Sequence, residues 1–327
     1  MKSIESYWGS RNPVAIILTP VSWFFCLAVW LRRLLYRAGV LAVYRAPVPV
    51  LVVGNITVGG SGKTPLVVWL VELLMNLGYR PGIVSRGYRG KSGTWPQSVE
   101  WNSDPLQVGD EPVLLARRTH CPVCVGPDRP AAAKWLIDQA GCDIIVSDDG
   151  LQHYALARDL EIAVVDGERR LGNGLCLPAG PLRERASRLE TVDMIVANGA
   201  GRDGEHVMRL SVAAAVNLQD SGLNRALEDF IGGPVHAVAG IGNPARFFET
   251  LRRKGLEVIE HPFPDHHRFR FTDISFKDEF PVLMTEKDAV KCSRFAKLSH
   301  WFLKVDADLD SSFTKRFTQL LRDIANG

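Results

Sequence analysis

The chain lacks an excess of either charge. Its 39 Lys and Arg face 36 Asp and Glu, a formal net charge of +3, far from the basic surplus with which a general nucleic-acid binder neutralises phosphates. Nucleic acid is therefore not expected as a partner. A cysteine framework is missing as well: Cys26, Cys121, Cys124, Cys142, Cys176 and Cys292 show no paired spacing, and a reducing compartment suits them. Cys121 and Cys124 form a C-x-x-C, but zinc needs four ligands and no second pair stands nearby, so they read as core. There is no internal repeat or low-complexity tract. Hydrophobic residues make up 46% of 327, enough for one large or two modest cores.

Charge is absent altogether from Pro13 to Leu31, PVAIILTPVSWFFCLAVWL, a stretch close to bilayer-spanning length. Pro20 interrupts it, aromatics crowd its second half, and Arg32, Arg33, Arg37 and Arg45 follow. FCLAVWLRR makes a poor signal-peptide cleavage site. The expectation is a membrane-associated helix or hairpin with arginines at anionic head groups. The competing reading is a core helix of a soluble domain.

What is present begins with VLVVGNITVGGSGKTPLVVWLVELL, Val50 to Leu74. A β-branched run predicts a buried strand, and the apolar spacing from Pro65 predicts a helix. Between them Gly59, Gly60, Ser61 and Gly62 let backbone N–H groups approach an anion at the positive end of that helix. Lys63 would reach the β- and γ-phosphates, and Thr64 would offer its hydroxyl to Mg²⁺. The strict P-loop pattern wants glycine where Thr57 stands, so the match is a variant; a plain glycine turn is the bland alternative.

Downstream, short apolar runs alternate with helical stretches: GIVSRGY, DEPVLLARR, PVCVG, RPAAAKWLIDQ, CDIIVSDDG, LEIAVVDG and VDMIVANG. That alternation predicts an α/β fold with a mostly parallel sheet. NGAGRDGEH breaks the rhythm, and PVHAVAGIGNPARFFETLRRKGLEVIEHPF starts a second strand, helix and strand. The expected organisation is an apolar N-terminal segment over 1–45, a P-loop domain over 46–212 and a smaller α/β domain over 213–327.

IIVSDDGLQH ends a strand with Asp148 and Asp149. Ligands gather at the carboxyl ends of such strands, so one of the two is the expected Walker-B-like group for Mg²⁺. Asp110 and Glu111, at the mouth of a helix, could simply cap it. FPDHHRFRFTD places His266 and His267 beside Asp265, and an Asp–His couple would suit a phosphoryl transfer that needs a positioned proton acceptor. Arg86, Arg89, Arg129, Arg183 and Arg185 lie beside Gly/Pro turns, where arginines can face phosphates.

VGNITVGGSGKTP, SRGYRG, GDEP, SDDGLQH, PAGPLRE, FPDHHRF and TEKDAVK, in this order behind an apolar aromatic segment, resemble the tetraacyldisaccharide 4'-kinase (lipid A 4'-kinase) family over nearly the whole chain. The resemblance implies a P-loop α/β domain with a smaller α/β domain. It implies transfer of the ATP γ-phosphate to the 4'-hydroxyl of a tetraacylated glucosamine disaccharide 1-phosphate at the cytoplasmic face of the inner membrane. Asp110 would be the base and His266, chosen over His267, its partner. Lys63 and Thr64 would serve ATP and Mg²⁺; Asp148, Asp149 and Glu111 the metal; Arg86, Arg129, Arg183 and Gln152 the phosphates or substrate. The competing classes are a P-loop switch or metal-insertion chaperone, which wants an N-K-x-D motif that TEKD does not supply, and a membrane-tethered ATP-binding protein without turnover.

Overall fold

The computed structural model describes residues 7–88 and 90–326; Arg89, one of the candidate cations, lies outside them. The helices are α1 (Pro13–Arg37), α2 (Lys63–Asn76), α3 (Pro105–Val108), α4 (Asp110–Thr119), α5 (Arg129–Ala140), α6 (Pro244–Arg253), α7 (Glu286–Cys292) and α8 (Ser311–Asn326). The strands are β1 (Val50–Gly54), β2 (Pro81–Ser85), β3 (Gln97–Val99), β4 (Val123–Val125), β5 (Ile144–Asp148), β6 (Leu160–Asp166), β7 (Met194–Asn198), β8 (His206–Asn217), β9 (Asn224–Arg225), β10 (Pro234–Ala239), β11 (Glu257–Pro262), β12 (Val282–Thr285) and β13 (His300–Leu309).

One sheet runs through the molecule in the order β11-β10-β12-β13-β8-β7-β6-β1-β5-β2-β4-β3, with β9 paired to β8. From β7 to β4 every pairing is parallel. β11, β10, β12 and β13 form a second parallel set, joined through the antiparallel β13–β8 pair. These sets form two lobes. β8 crosses the expected boundary at 212/213 and belongs to both.

β1 shows why its apolar run forms a central strand. Leu51 and Val53 pack on one face with Leu66, Leu70 and Leu115 from α2 and α4. Val50 and Val52 pack on the other with Ala132, Ala133 and Leu136 from α5. A strand buried on both faces needs apolar residues at every position, because successive side chains point to opposite sides. β1 also lies between β5 and β6, where chain connections diverge, so its carboxyl end opens into the crevice where such sheets take ligands. The second lobe has its own core around Phe248, Leu251, Leu283 and Trp301. α8 returns to the first lobe, placing Phe313 and Phe317 in the core beside Trp69.

The N-terminal stretch is a single helix, not a hairpin and not core. Only Ala15, Ser22 and Cys26 of α1 are buried, one narrow stripe at spacings of seven and four. Ser22 donates to the Cys176 carbonyl at 2.8 Å. The remaining faces are open, with Ile17 at 75% and Phe24 at 74% exposure. Cys121 and Cys124 are buried free thiols in the core, as the missing second pair implied.

Candidate active site

The loop after β1 explains the variant P-loop. Val58 N–H donates to the Pro181 carbonyl at 2.8 Å, and Arg183 N–H donates to the Ile56 carbonyl at 2.7 Å. Thr57 thereby pairs with Leu182 as an isolated antiparallel bridge. Thr57 has no left-handed backbone, so a side chain costs nothing there. Gly62 is different: it caps α2 at φ 91°, and a Cβ would lie 2.6 Å from Asn198 Nδ2, the group that donates to the Ser61 carbonyl. Lys63 Nζ reaches Asn55 Oδ1 and Asp149 Oδ1, each at 3.1 Å. Thr64 follows in the first turn of α2.

Two adjacent carboxyls at the end of β5 are driven apart. Asp148 is buried against Glu111 and Asp149, and burial first, then those charges, push it up to about 7. Asp149, with φ 50°, turns the other way. Burial would raise it, but Lys63 and Arg183, the latter at 2.9 Å, hold it well below the usual range. Opposed environments on neighbouring acids are a common mark of functional sites.

The expected phosphate arginines separate. Arg183 is at the site, on Asp149. Arg86, exposed just past β2, lies near enough to Arg129 and His153 for its charge to act on both. Arg129, expected at the phosphates, is 1% exposed. It donates to the Val84 carbonyl at 2.7 Å and the Asp148 carbonyl at 2.9 Å, fastening β2 to β5 behind the crevice. Gln152 is likewise engaged, donating to the Asn55 carbonyl at 3.1 Å and Glu184 Oε1 at 2.9 Å. It supports the loop from below.

The two lobes meet at α4. His266 Nδ1 donates to Asp110 Oδ2 at 3.0 Å, and its Nε2 lies 3.5 Å from Lys287 Nζ. Lys287 pairs with Glu111 at 3.0 Å. His267 turns away to Asp273 at 3.0 Å, so the His directly after Asp265 is the one that reaches Asp110. Burial would raise the Asp110 carboxyl, but the His266 hydrogen bond and the charges of Lys287 and Lys291 bring it down to about 2. Burial would lower Lys287, yet Glu111, Asp110 and Asp265 raise it above its ordinary value.

Lys287, the lysine of TEKD, has no functional signal in the sequence alone. Thr285 caps α7 by accepting from Asp288 N–H, which fixes the helix start and aims Lys287 across the lobe boundary. Asn55 and Asn198 also went unseen, since single amides bracing a loop leave no spacing signal. So did Arg169, which pairs with Asp166 at 3.1 Å and donates to the Gly60 carbonyl at the crown of the loop.

A glycine loop capping a helix beside a central parallel strand, with a lysine and paired acids at adjoining strand ends, defines a P-loop nucleotide-binding protein of the α/β class. Comparison with known proteins narrows the class. The family described as tetraacyldisaccharide-1-P 4'-kinase matches residues 14–322, and the chain belongs to it. The tetraacyldisaccharide 4'-kinase of Nitrosococcus oceani is 53% identical over 98% of this chain and 95% of its own; that of Alkalilimnicola ehrlichii is 54% identical over 94% and 93%. The crystal structure of LpxK from Aquifex aeolicus in complex with ATP is 28% identical, covers 95% of this chain and 99% of its own, and superposes with a TM-score of 0.79.

The loop geometry predicts a contrast between two glycines. Gly60 has ordinary φ and open space around its Cβ position. Gly62→Ala should lower stability by roughly 1–2 kcal/mol through its left-handed backbone alone, with the Asn198 clash adding to that, whereas Gly60→Ala should be near neutral. Thermal unfolding without nucleotide checks it. Equal midpoints for the two variants would contradict the cap geometry.

Proposed function

We propose that this chain transfers the γ-phosphoryl group of ATP to the 4'-hydroxyl of a tetraacylated glucosamine disaccharide 1-phosphate. The observation that carries the reading is the Asp110–His266 hydrogen bond of 3.0 Å, made across the lobes on the helix whose next residue, Glu111, acts on the buried Asp148. The acceptor oxygen attacks the γ-phosphorus, its O–H proton passes to Asp110, and the bond to the β-phosphate oxygen breaks to release ADP. A carboxyl near 2 is ionised at physiological pH, always in acceptor form, though weakly basic. Such an acceptor suits a loose transition state, in which placing the hydroxyl counts for more than drawing off its proton early. His266 positions Asp110 and Lys63 meets the charge on the transferring group. Arg183, now on Asp149, and Arg86 stand where polyphosphate can recruit them.

Among the described residues no three His, Cys, Asp or Glu side chains cage a metal. Mg²⁺ bound through one or two carboxylates, water and nucleotide phosphates needs no cage. The oxygen donors of Thr64, Asp148, Asp149 and Glu111 fit such an ion, and the raised Asp148 carboxyl marks a surplus of negative charge that a cation relieves. When bound, the ion would neutralise phosphate charge. The division into 46–212 and 213–327 enters this proposal with β8 shared by the two lobes and α8 packed on the first, and with the cleft between the lobes as the site.

The exposed apolar faces of α1 are read as a membrane contact at the cytoplasmic face of the inner membrane. A lipid acceptor with four acyl chains stays in the bilayer, so its kinase must work at the interface. Arg33, at the far end of the helix, donates to Thr191 at 3.0 Å, which ties the anchor to the first lobe. Deletion of residues 1–37 should move the protein toward the soluble fraction and raise the KM for long-chain acceptor about ten-fold or more. Unchanged membrane recovery and kinetics would assign α1 another role.

The transfer itself is tested by the pair of variants Asp110→Asn and His266→Ala, assayed for ATP-dependent phosphorylation of the acceptor in detergent micelles. Each should lower kcat roughly ten- to a thousand-fold, and the double variant should be little worse than the more damaged single one, because the two residues act as a unit. Multiplicative losses would separate them, and an active Asp110→Asn would leave Asp110 only its structural hydrogen bonds in the first turn of α4.

A further inference from the structure

Three consecutive carbonyls of the glycine loop are held by side chains. Asn55 Nδ2 donates to the Gly59 carbonyl at 3.4 Å, Arg169 Nη2 to the Gly60 carbonyl, and Asn198 Nδ2 to the Ser61 carbonyl at 3.1 Å. In a trans peptide the N–H points opposite to the carbonyl that precedes it. Holding these carbonyls therefore fixes where the N–H groups of Gly60, Ser61 and Gly62 point, and successive N–H groups that converge make an anion nest. Two of the three holders, Asn55 and Asn198, are buried amides. Arg169 is the exception, a guanidinium half open to solvent.

Arg169 is placed there by Asp166, the last residue of β6, the strand beside β1. Asp166 Oδ1 accepts from the N–H groups of Glu168 at 3.0 Å and Arg169 at 2.8 Å, and Oδ2 accepts from Arg169 Nε at 3.1 Å. One buried acid thus fixes both the backbone and the side chain of Arg169. Its own seat is firm. Gly167 N–H donates to the Asn198 carbonyl at 2.8 Å, in a space where a Cβ on Gly167 would lie 2.5 Å from the Ala200 nitrogen. Burial would raise the Asp166 carboxyl, but the hydrogen bonds and charge of Arg169 bring it below its ordinary value. Arg246 of α6 also faces Oδ2, at 3.8 Å, a longer and half-exposed pair that adds little.

We propose that Asp166 and Arg169 are a positioning pair for nucleotide binding: Asp166 aims Arg169, and Arg169 holds the Gly60 carbonyl so that the Ser61 N–H faces the phosphates. The proposal rests on the ATP half of the kinase reading above and adds what shapes the loop before ATP arrives. Neither residue touches the nucleotide. A loop already in its binding shape loses less conformational freedom when the phosphates settle into it.

The test is calorimetric titration of ATP with Mg²⁺ into the full chain in neutral detergent micelles. Arg169→Gln should raise the Kd for ATP about ten-fold or more, the scale of one charge-assisted hydrogen bond, with an unfolding midpoint near wild type because the side chain is half open. Asp166→Asn, which keeps the shape of the acid but not its charge, should raise the Kd to a similar extent. The double variant should be little worse than either single one, since the two act as a unit. Arg169→Lys, which keeps the charge but not the fork that joins Asp166 to Gly60, should lose as much as Arg169→Gln. Were Arg169 a ligand of the phosphates, Asp166→Asn would free it and leave the Kd unchanged or lower, and Arg169→Lys would bind nearly as wild type; either result would overturn the proposal. An unchanged Kd in Arg169→Gln would overturn it too. So would Arg246→Gln with a loss as large as that of Asp166→Asn, which would give the acid to lobe alignment. Wild-type protein with no affinity for ATP would refute the kinase reading itself, a result distinct from variants that bind as well as wild type.

Discussion

The contact between the first turn of α4 and the second lobe is the constraint on which the site depends. Asp110 and Glu111 come from one lobe, His266 and Lys287 from the other, and each acid meets its partner at 3.0 Å. Removing those partners with the lobes closed would leave the nearly buried Asp110 carboxylate uncompensated, and an uncompensated buried charge costs several kcal/mol. The pairing therefore does two things with one set of groups: it aligns the lobes, and it holds the proton acceptor in its ionised form. Behind it Arg118 repeats the device, pairing with Glu286 at 2.8 Å and also with Asp306, so that α4 is held by charge at both ends.

The phosphate side is built by a similar economy. The segment 181–183 stitches the backbone at Thr57 in place of a glycine turn, and in the same three residues delivers Arg183 to Asp149. Arg129 fixes the spacing of β2 and β5 just behind the acids. Asp148 and Asp149 consequently sit in opposed electrostatic surroundings one residue apart, one crowded by acids and one by cations.

Much of this was legible in the amino-acid order, for identifiable reasons. The central strands of the first lobe, β1, β2 and β5, are buried on both faces and read as largely apolar runs, and α2 shows a helical stripe. The P-loop announces itself because its chemistry is local in sequence. Asp110 and His266 are 156 positions apart, and no local pattern joins them; the family resemblance supplied the pair, and the fold supplies the contact. Arg129 is not placed by its sequence context, because a Gly/Pro-flanked arginine reads the same whether it faces ligand or two backbone carbonyls. Lys287 carries no local signal, because a lysine at the start of a helix reads as solvated until another lobe is laid against it. Composition alone leaves α1 between core and membrane, since it does not tell how much of a helix is covered.

Lys287 offers the most direct test of a site assembled from two lobes. It belongs to the second lobe, is held by Glu111 of the first and sits against His266, and it is given no contact with ATP. Lys287→Met should lower kcat about ten- to a hundred-fold and lower the unfolding midpoint as Glu111 loses its partner, while the KM for ATP stays near wild type, the pattern of a lost positioning contact. Turnover near wild type would contradict the account, as would a loss expressed only in stability or in ATP binding.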